Sequence, residues 1–247
     1  MPRYALVVAF VLLLSPAAAA GGGYHATYRL MMGPLTVGKM ERSFEVQADG
    51  TYRFVSKLKA TGLASIVNRD ELLETSSGAF ELGTYRPDQY NYVRKNKKKP
   101  RVISMYFDRE NANVKTIVNG ETMSSPLSEN LLDKLIYQAA LMHDLGLGKT
   151  DLGYRIADRG KEKLYRPVFM EQERIKTDIG EFDTMKIVRR RSKDKRRTTF
   201  WCAAELAYLP VRVAYREKDG KETIAVLTEY DRIDGGSPAA ARRLEGR

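Results

Sequence analysis

The strongest constraint on this chain is a period of two. From Tyr24 onward, β-branched and aromatic residues stand in short runs, and turn signals interrupt them about every eight to twelve residues. In MERSFEVQADGTYRFVSKLKA, Phe44 and Val46 alternate with charged or polar neighbours, and Tyr52 and Phe54 resume the alternation after Asp49-Gly50. Such alternation turns one face of a strand to a core, and glycine takes the positive φ that a tight hairpin requires. Asn119-Gly120 and Asp219-Gly220 predict two further hairpins. The pattern predicts a mainly β protein: a single antiparallel, strongly curved sheet or a β-barrel.

One segment has a different period. SENLLDKLIYQAALMHDLGLG carries Leu132, Leu135, Ile136, Ala139 and Met142 at helical spacing. With Ser128 as the N-cap and Glu129 in the first turn, one main amphipathic helix is expected over roughly residues 129–144, ended by Gly146 or Gly148. It would lie across the sheet or plug the mouth of a barrel. Gly148-Lys149-Thr150 imitates the end of a phosphate loop. That loop needs a glycine where His143 stands, and it runs from strand to helix, so a helix-ending turn is the better account.

The first twenty residues direct the chain out of the cytoplasm. MPRYALVVAFVLLLSPAAAA has one early cation, Arg3, an apolar run from Ala5 to Leu14, and then small residues suited to cleavage near Ala20–Gly21. The apolar run is about half of what a membrane-spanning helix needs, so a signal peptide over residues 1–20 is expected rather than an anchor. No later segment is apolar enough to span a bilayer. The expected organisation is a signal peptide over residues 1–20, one β-rich domain over 21–233 and a disordered tail over 234–247. The signal resembles the bacterial type, which places the expected compartment in the periplasm of a Gram-negative bacterium.

Export changes the meaning of the charge. The chain carries a formal +11, about +10 after losing Arg3. In the cytosol this balance would suggest nucleic acid; outside it, the anionic partners are lipid headgroups, lipopolysaccharide and acidic polymers. No nucleic-acid partner is expected. Two clusters hold much of the charge. RKNKKKPR contributes Arg94, Lys95, Lys97, Lys98, Lys99 and Arg101, and RRRSKDKRR contributes Arg189, Arg190, Arg191, Lys193, Lys195, Arg196 and Arg197. Each lies between strand-like runs, so Asn96-Lys97 and Lys193-Asp194 are expected at hairpin tips. Such tips are either merely solvated or contact anions, each cation being worth about 1 kcal/mol at an acidic membrane surface.

Candidate chemistry is sparse. The two histidines, His25 and His143, do not stand in a metal-binding motif, no serine lies in Gly-x-Ser-x-Gly, and no paired cysteines occur. No catalytic residue, metal site or cofactor is expected. The acids Asp70, Glu71 and Glu74 of RDELLE are expected on a solvated strand or turn. Cys202, the single cysteine, is either a reactive or crosslinking thiol or, as its place in TTFWCA favours, a buried small residue.

The order of motifs carries a resemblance. YRLMMGPLTVGKMERSF, then YRPDQYNY with Tyr85-Arg86-Pro87, then FWCAAELAYLPVRV with Trp201 and Leu209-Pro210-Val211-Arg212, resemble the exported bacterial family called Domain of Unknown Function 3108. The resemblance covers about Tyr24 to Ile233. The tryptophan and Leu-Pro-Val-Arg elements are also similar to strand endings of outer-membrane lipoprotein carriers, whose curved sheet holds helices in its concavity. The basic clusters and Cys202-Ala203-Ala204 depart from the family pattern. The resemblance implies an exported β-rich domain without an assigned activity. Physically, Trp201 is expected to pack a sheet corner rather than touch a ligand.

Two functions from different classes follow. The first is a periplasmic, non-enzymatic protein that binds or carries a hydrophobic or amphipathic envelope ligand in the sheet's concavity. The second is an envelope module that binds lipopolysaccharide or another anionic surface polymer through its basic hairpin tips. A hydrolase would require a cleft where His143 or His25 meets a nucleophile or carboxylate.

Overall fold

A computed structural model describes residues 21–62, 71–96, 100–190 and 196–234. The expected signal peptide and nearly all of the expected tail lie outside these residues; Asp234 itself closes the last strand. The first group of strands is β1 (Gly22–Met32), β2 (Leu35–Val46), β3 (Thr51–Ala60), β4 (Glu71–Glu81), β5 (Thr84–Lys95), β6 (Arg101–Asp108), β7 (Asn113–Val118) and β8 (Glu121–Pro126). After β9 (Leu131–Leu132) comes the helix α1 (Ile136–Gly146), then β10 (Tyr154–Ala157) and β11 (Glu162–Tyr165). The chain ends in β12 (Pro167–Thr177), β13 (Gly180–Arg190), β14 (Arg197–Ala203), β15 (Leu209–Arg216) and β16 (Glu222–Asp234).

Thirteen of these strands form one antiparallel sheet in the order β12-β13-β14-β15-β16-β1-β2-β3-β4-β5-β6-β7-β8. The mainly β expectation therefore holds. The turns at Asp49-Gly50, Asn119-Gly120 and Asp219-Gly220 join β2 to β3, β7 to β8 and β15 to β16, with all three glycines at positive φ. Alternation works as the sequence implies: Tyr24, Ala26, Tyr28 and Leu30 of β1 are buried, and Phe44 and Phe54 meet across β2 and β3 with ring centroids 5.2 Å apart. Stacked inward rows of this kind bend the sheet around one core.

The helix fills the concavity of that sheet. It is shorter than expected, and it begins later. Leu131 and Leu132 pair in parallel with Arg155 and Ile156 of β10, so the chain is still extended there. Asp133, not Ser128, supplies the cap: its carboxylate accepts the N–H groups of Leu135 and Ile136 at 2.7 and 2.9 Å. The Ser128 hydroxyl instead donates to Glu162. Nor is the helix amphipathic. Ile136, Tyr137, Ala139, Ala140, Leu141 and Leu145 are all buried, as expected of a helix enclosed on most sides. It ends in a glycine turn, with Gly148 at φ +71° and its N–H bonded to the Leu145 carbonyl. The Gly148-Lys149-Thr150 sequence is that turn.

Asp133 also ties the helix to the wall. Ser76 of β4 donates to its carboxylate at 2.6 Å, which leaves the Tyr52 hydroxyl of β3 as donor to Ser76 at 3.1 Å. All three residues are buried. Burial raises the Asp133 carboxyl to about 6 against the bonds that favour its ionised form. Glu74, expected in solvent, belongs to the same interior. It shares an inward row with Tyr92 and Ile103, accepts the Tyr90 hydroxyl at 3.0 Å and is raised by burial. Asp70 lies outside the described residues.

The native state therefore binds the Asp133 proton more tightly than the unfolded chain, so stability should fall as pH rises from about 4 through about 6. Urea unfolding across that range should show a shallower fall for Asp133→Asn, which keeps an acceptor for the cap but cannot ionise. Asp133→Ala should lose about 1–2 kcal/mol on the acid side, where the parent carboxyl is neutral. A parent and an Asn variant with the same pH profile would show that the carboxyl does not titrate in this range.

Candidate functional site

A cleft of about 530 Å³ opens where the last turns of α1 meet the turn between β4 and β5. Thr84 and Tyr85 line one side, His143 and Asp144 of α1 another, and Asn130, Leu132 and Tyr154 complete the wall. The β4–β5 turn places Leu82 and Gly83 at φ +49° and +76°, the left-handed pair that a two-residue hairpin uses. A leucine pays for that conformation, and Leu82 is also fully exposed. Leu147, just beyond α1, is 60% exposed. The cleft thus has an apolar residue on each neighbouring turn and polar groups within.

Those polar groups differ in how they are satisfied. Asp144 accepts Lys149 at 2.7 Å and the Tyr154 hydroxyl at 2.9 Å. Burial, followed by the Asp144 charge, raises the Tyr154 hydroxyl far above its ordinary range. Arg155 donates to Glu162 at 2.7 Å. His143 packs against Phe80 and Tyr85 with centroids 5.1 and 6.4 Å away, and its buried Nε2 has no hydrogen-bond partner among the described residues. Such an atom costs free energy until something reaches it. The histidine faces aromatic rings, whereas His25 sits on β1 opposite Ser43 and Asp231. Among the described residues, no group of three His, Cys, Asp or Glu is placed to hold a metal.

Beside the cleft, β9, β10 and β11 form a small sheet whose β10–β11 turn clamps the start of α1. The buried Asp158 meets Lys134, Arg159 and Lys163 there. Burial works to raise this carboxyl, but the cations outweigh it and hold it at about 2. Arg159 and Lys163 are near neighbours of Asp158 in the chain, whereas the helix separates Lys134 from it in sequence, and no motif announces that pair.

The basic clusters flank antiparallel strand pairs, while the expected tips at Asn96-Lys97 and Lys193-Asp194 reach into residues 97–99 and 191–195, outside the described residues. Arg94 pairs with Arg101 across β5 and β6, and Arg190 with Arg197 across β13 and β14. Lys97, Lys98, Lys99, Arg191, Lys193 and Lys195 lie outside the described residues. Arg189 is differently engaged. Its guanidinium lies 4.2 Å over the Tyr165 ring and donates to Thr198 at 2.7 Å. Because β5 and β13 stand an even number of places apart in an antiparallel order, they run the same way. The ends of β5 and β13, at Lys95 and Arg190, consequently lie on one rim. The β4–β5 turn, and the cleft with it, opens on the other.

Trp201 is buried, as its sequence context implies, but against an unexpected cover. It shares a cross-strand row with Lys186 and Arg212, whose charged groups lie 5.7 and 4.8 Å from its ring. Its Nε1 donates to Glu173 at 2.8 Å. Cys202, the next residue, points into the core and is fully buried.

A family model described as "Protein of unknown function (DUF3108)" matches residues 24–226. No curated protein matches the chain. Among solved structures, the chain is similar to a beta-barrel-like protein of Domain of Unknown Function DUF1849 from Brucella abortus. The identity is 10% and the TM-score 0.56, over 85% of this chain and 97% of that one. It also matches a candidate lipoprotein from Parabacteroides distasonis at 13% identity and a TM-score of 0.33, over 85% of this chain and 95% of that one. At such identity the Brucella likeness is one of fold.

Burial pushes the Cys202 thiol well above its ordinary range, which removes the reactive thiolate at neutral pH. Native protein should therefore react with a thiol reagent only as fast as it unfolds, and urea should release one equivalent promptly. Prompt labelling of the folded chain would contradict this burial.

Proposed function

The chain belongs to the DUF3108 family, and from that premise we propose that it is an exported, non-enzymatic envelope protein that binds an amphipathic small molecule at the cleft beside α1. The observation that carries this is the buried His143 Nε2, without a hydrogen-bond partner among the described residues, on a residue that lines a cleft of about 530 Å³. A ligand with a polar end reaching His143 and an apolar part against Leu82 and Leu147 would use both kinds of surface present there. The concavity itself is filled by α1, so the ligand is assigned to the mouth rather than to the middle of the sheet. A binding role is favoured over catalysis because His143 packs on Phe80 and Tyr85 instead of orienting a nucleophile. Export is supported by the order of charged, apolar and small residues in Met1–Ala20, and a periplasmic site by its bacterial type.

Mass spectrometry of the protein recovered from its native compartment is expected to find one class of amphipathic molecule in near-stoichiometric amount. His143→Phe keeps the ring packing and removes Nε2, and should lower retention about tenfold. Ala140→Phe, which fills the cleft wall, should abolish it while the near-UV circular dichroism stays native. An empty parent protein, or equal retention by all three chains, would overturn the proposal.

A further inference from the structure

The rim opposite the cleft sets cations against cations. Arg94 stands directly across from Arg101, and Arg197 directly across from Arg216 on β14 and β15, before Glu222 ends that row. Like charges directly opposite one another destabilise a sheet. Solubility alone needs no such alignment, since charges staggered along the strands would serve it equally well. An anionic surface outside the rim reverses the sign of the arrangement.

A second observation concerns apolar side chains on the same rim. The β1–β2 turn lies between the two basic turns in the sheet order, and it is Met32-Gly33-Pro34-Leu35. Met32 is 40% exposed and Leu35 67%. Val168 and Phe169, also exposed, begin β12 on this rim beside the Arg189 and Arg190 end of β13. Apolar tips flanked by cations are what an interface between headgroups and acyl chains accepts.

We propose that this rim docks on an anionic lipid bilayer, with the opposed arginines on lipid phosphates and the Met32–Leu35 turn entering the headgroup boundary. A soluble polyanion would engage the arginines and leave the apolar turn idle, and that difference selects the bilayer. The inference does not depend on a ligand in the cleft. It holds the cleft on the side away from the membrane.

The test uses the protein recovered after export and phosphatidylcholine vesicles with or without about one-third phosphatidylglycerol. The parent is expected to co-sediment with the anionic vesicles only, and more weakly as salt rises. Arg94→Gln with Arg101→Gln, and separately Arg197→Gln with Arg216→Gln, should each lower vesicle affinity about tenfold or more. Met32→Ser with Leu35→Ser should lower it about tenfold while leaving affinity for soluble polyphosphate unchanged. Failure of the parent to bind anionic vesicles, or equal binding to neutral ones, would overturn the proposal. An apolar-turn variant with the parent's vesicle affinity would overturn it too, and would make the rim a polyanion site. All substituted side chains lie at strand ends or turns, and urea midpoints matching the parent establish that each variant is folded.

Discussion

The carboxylate of Asp133 holds the interior together. A thirteen-stranded sheet can curl in several ways, and what selects one is the element packed inside it. Here that element is a helix of eleven residues, too short to be stable alone. Asp133 satisfies two of its orphan N–H groups and simultaneously takes the Ser76 hydroxyl, which in turn holds Tyr52. One buried acid therefore fixes the start of α1 to β3 and β4. The Lys134–Asp158 pair fixes the next residue to the small sheet. With its origin set, the helix delivers His143 and Asp144 to the far rim, and the cleft follows from that placement.

The opposite flank of the sheet is organised from outside. Paired β12 and β13 extend beyond the end of β14, since residues 180–183 have no partner there. Their turn nevertheless reaches β1, where Arg29 grips Asp178 with two bonds of 2.6 and 2.9 Å. Ile175 and Phe182 are buried along the way, and Glu173 closes over Trp201. The hairpin thus lies back across the sheet it belongs to. This explains how an outward tryptophan becomes buried, and why its cover consists of Lys186, Arg212 and Glu173 rather than aliphatic residues. Cations over an indole face retain water while shielding the ring.

Local chemistry was legible in the sequence and tertiary chemistry was not. Asp49-Gly50, Asn119-Gly120 and Asp219-Gly220 marked their hairpins because positive φ is demanded within the turn itself. The strands that flank the basic clusters were legible for a similar reason, since residues alternate on both sides of each cluster. Ser128 has the local character of a cap, but Asp133 takes that role through a partner from β4 that is distant in sequence. Glu74 looked solvated because its charge was visible and Tyr90 was not. Leu131-Leu132 fitted a helical period equally well, and only pairing with β10 makes it a strand. The shared rim of the two basic turns required the strand order, which no single window of sequence contains. The cleft was invisible for the same reason: its walls come from residues 83–85, 128–132, 140–144 and 149–155.

The division between the two rims follows from antiparallel order once the strands are known. Every second turn opens on the same side, so the β1–β2, β5–β6, β13–β14 and β15–β16 turns share one rim, while β2–β3 and β4–β5 share the other. Substitutions in successive turns therefore alter the two ends independently, with the helix and its buried Asp133 between them. The rim carrying the arginine rows is free to tolerate unfavourable cross-strand pairs, because those pairs sit at strand ends where few inward residues depend on their register. The rim carrying the cleft has no such freedom. There Phe44, Phe80, Tyr85 and His143 pack ring against ring, and any change in the β4–β5 turn is transmitted to the end of α1. A chain built this way can vary its charged rim with little effect on the core, whereas its cleft and its core must change together.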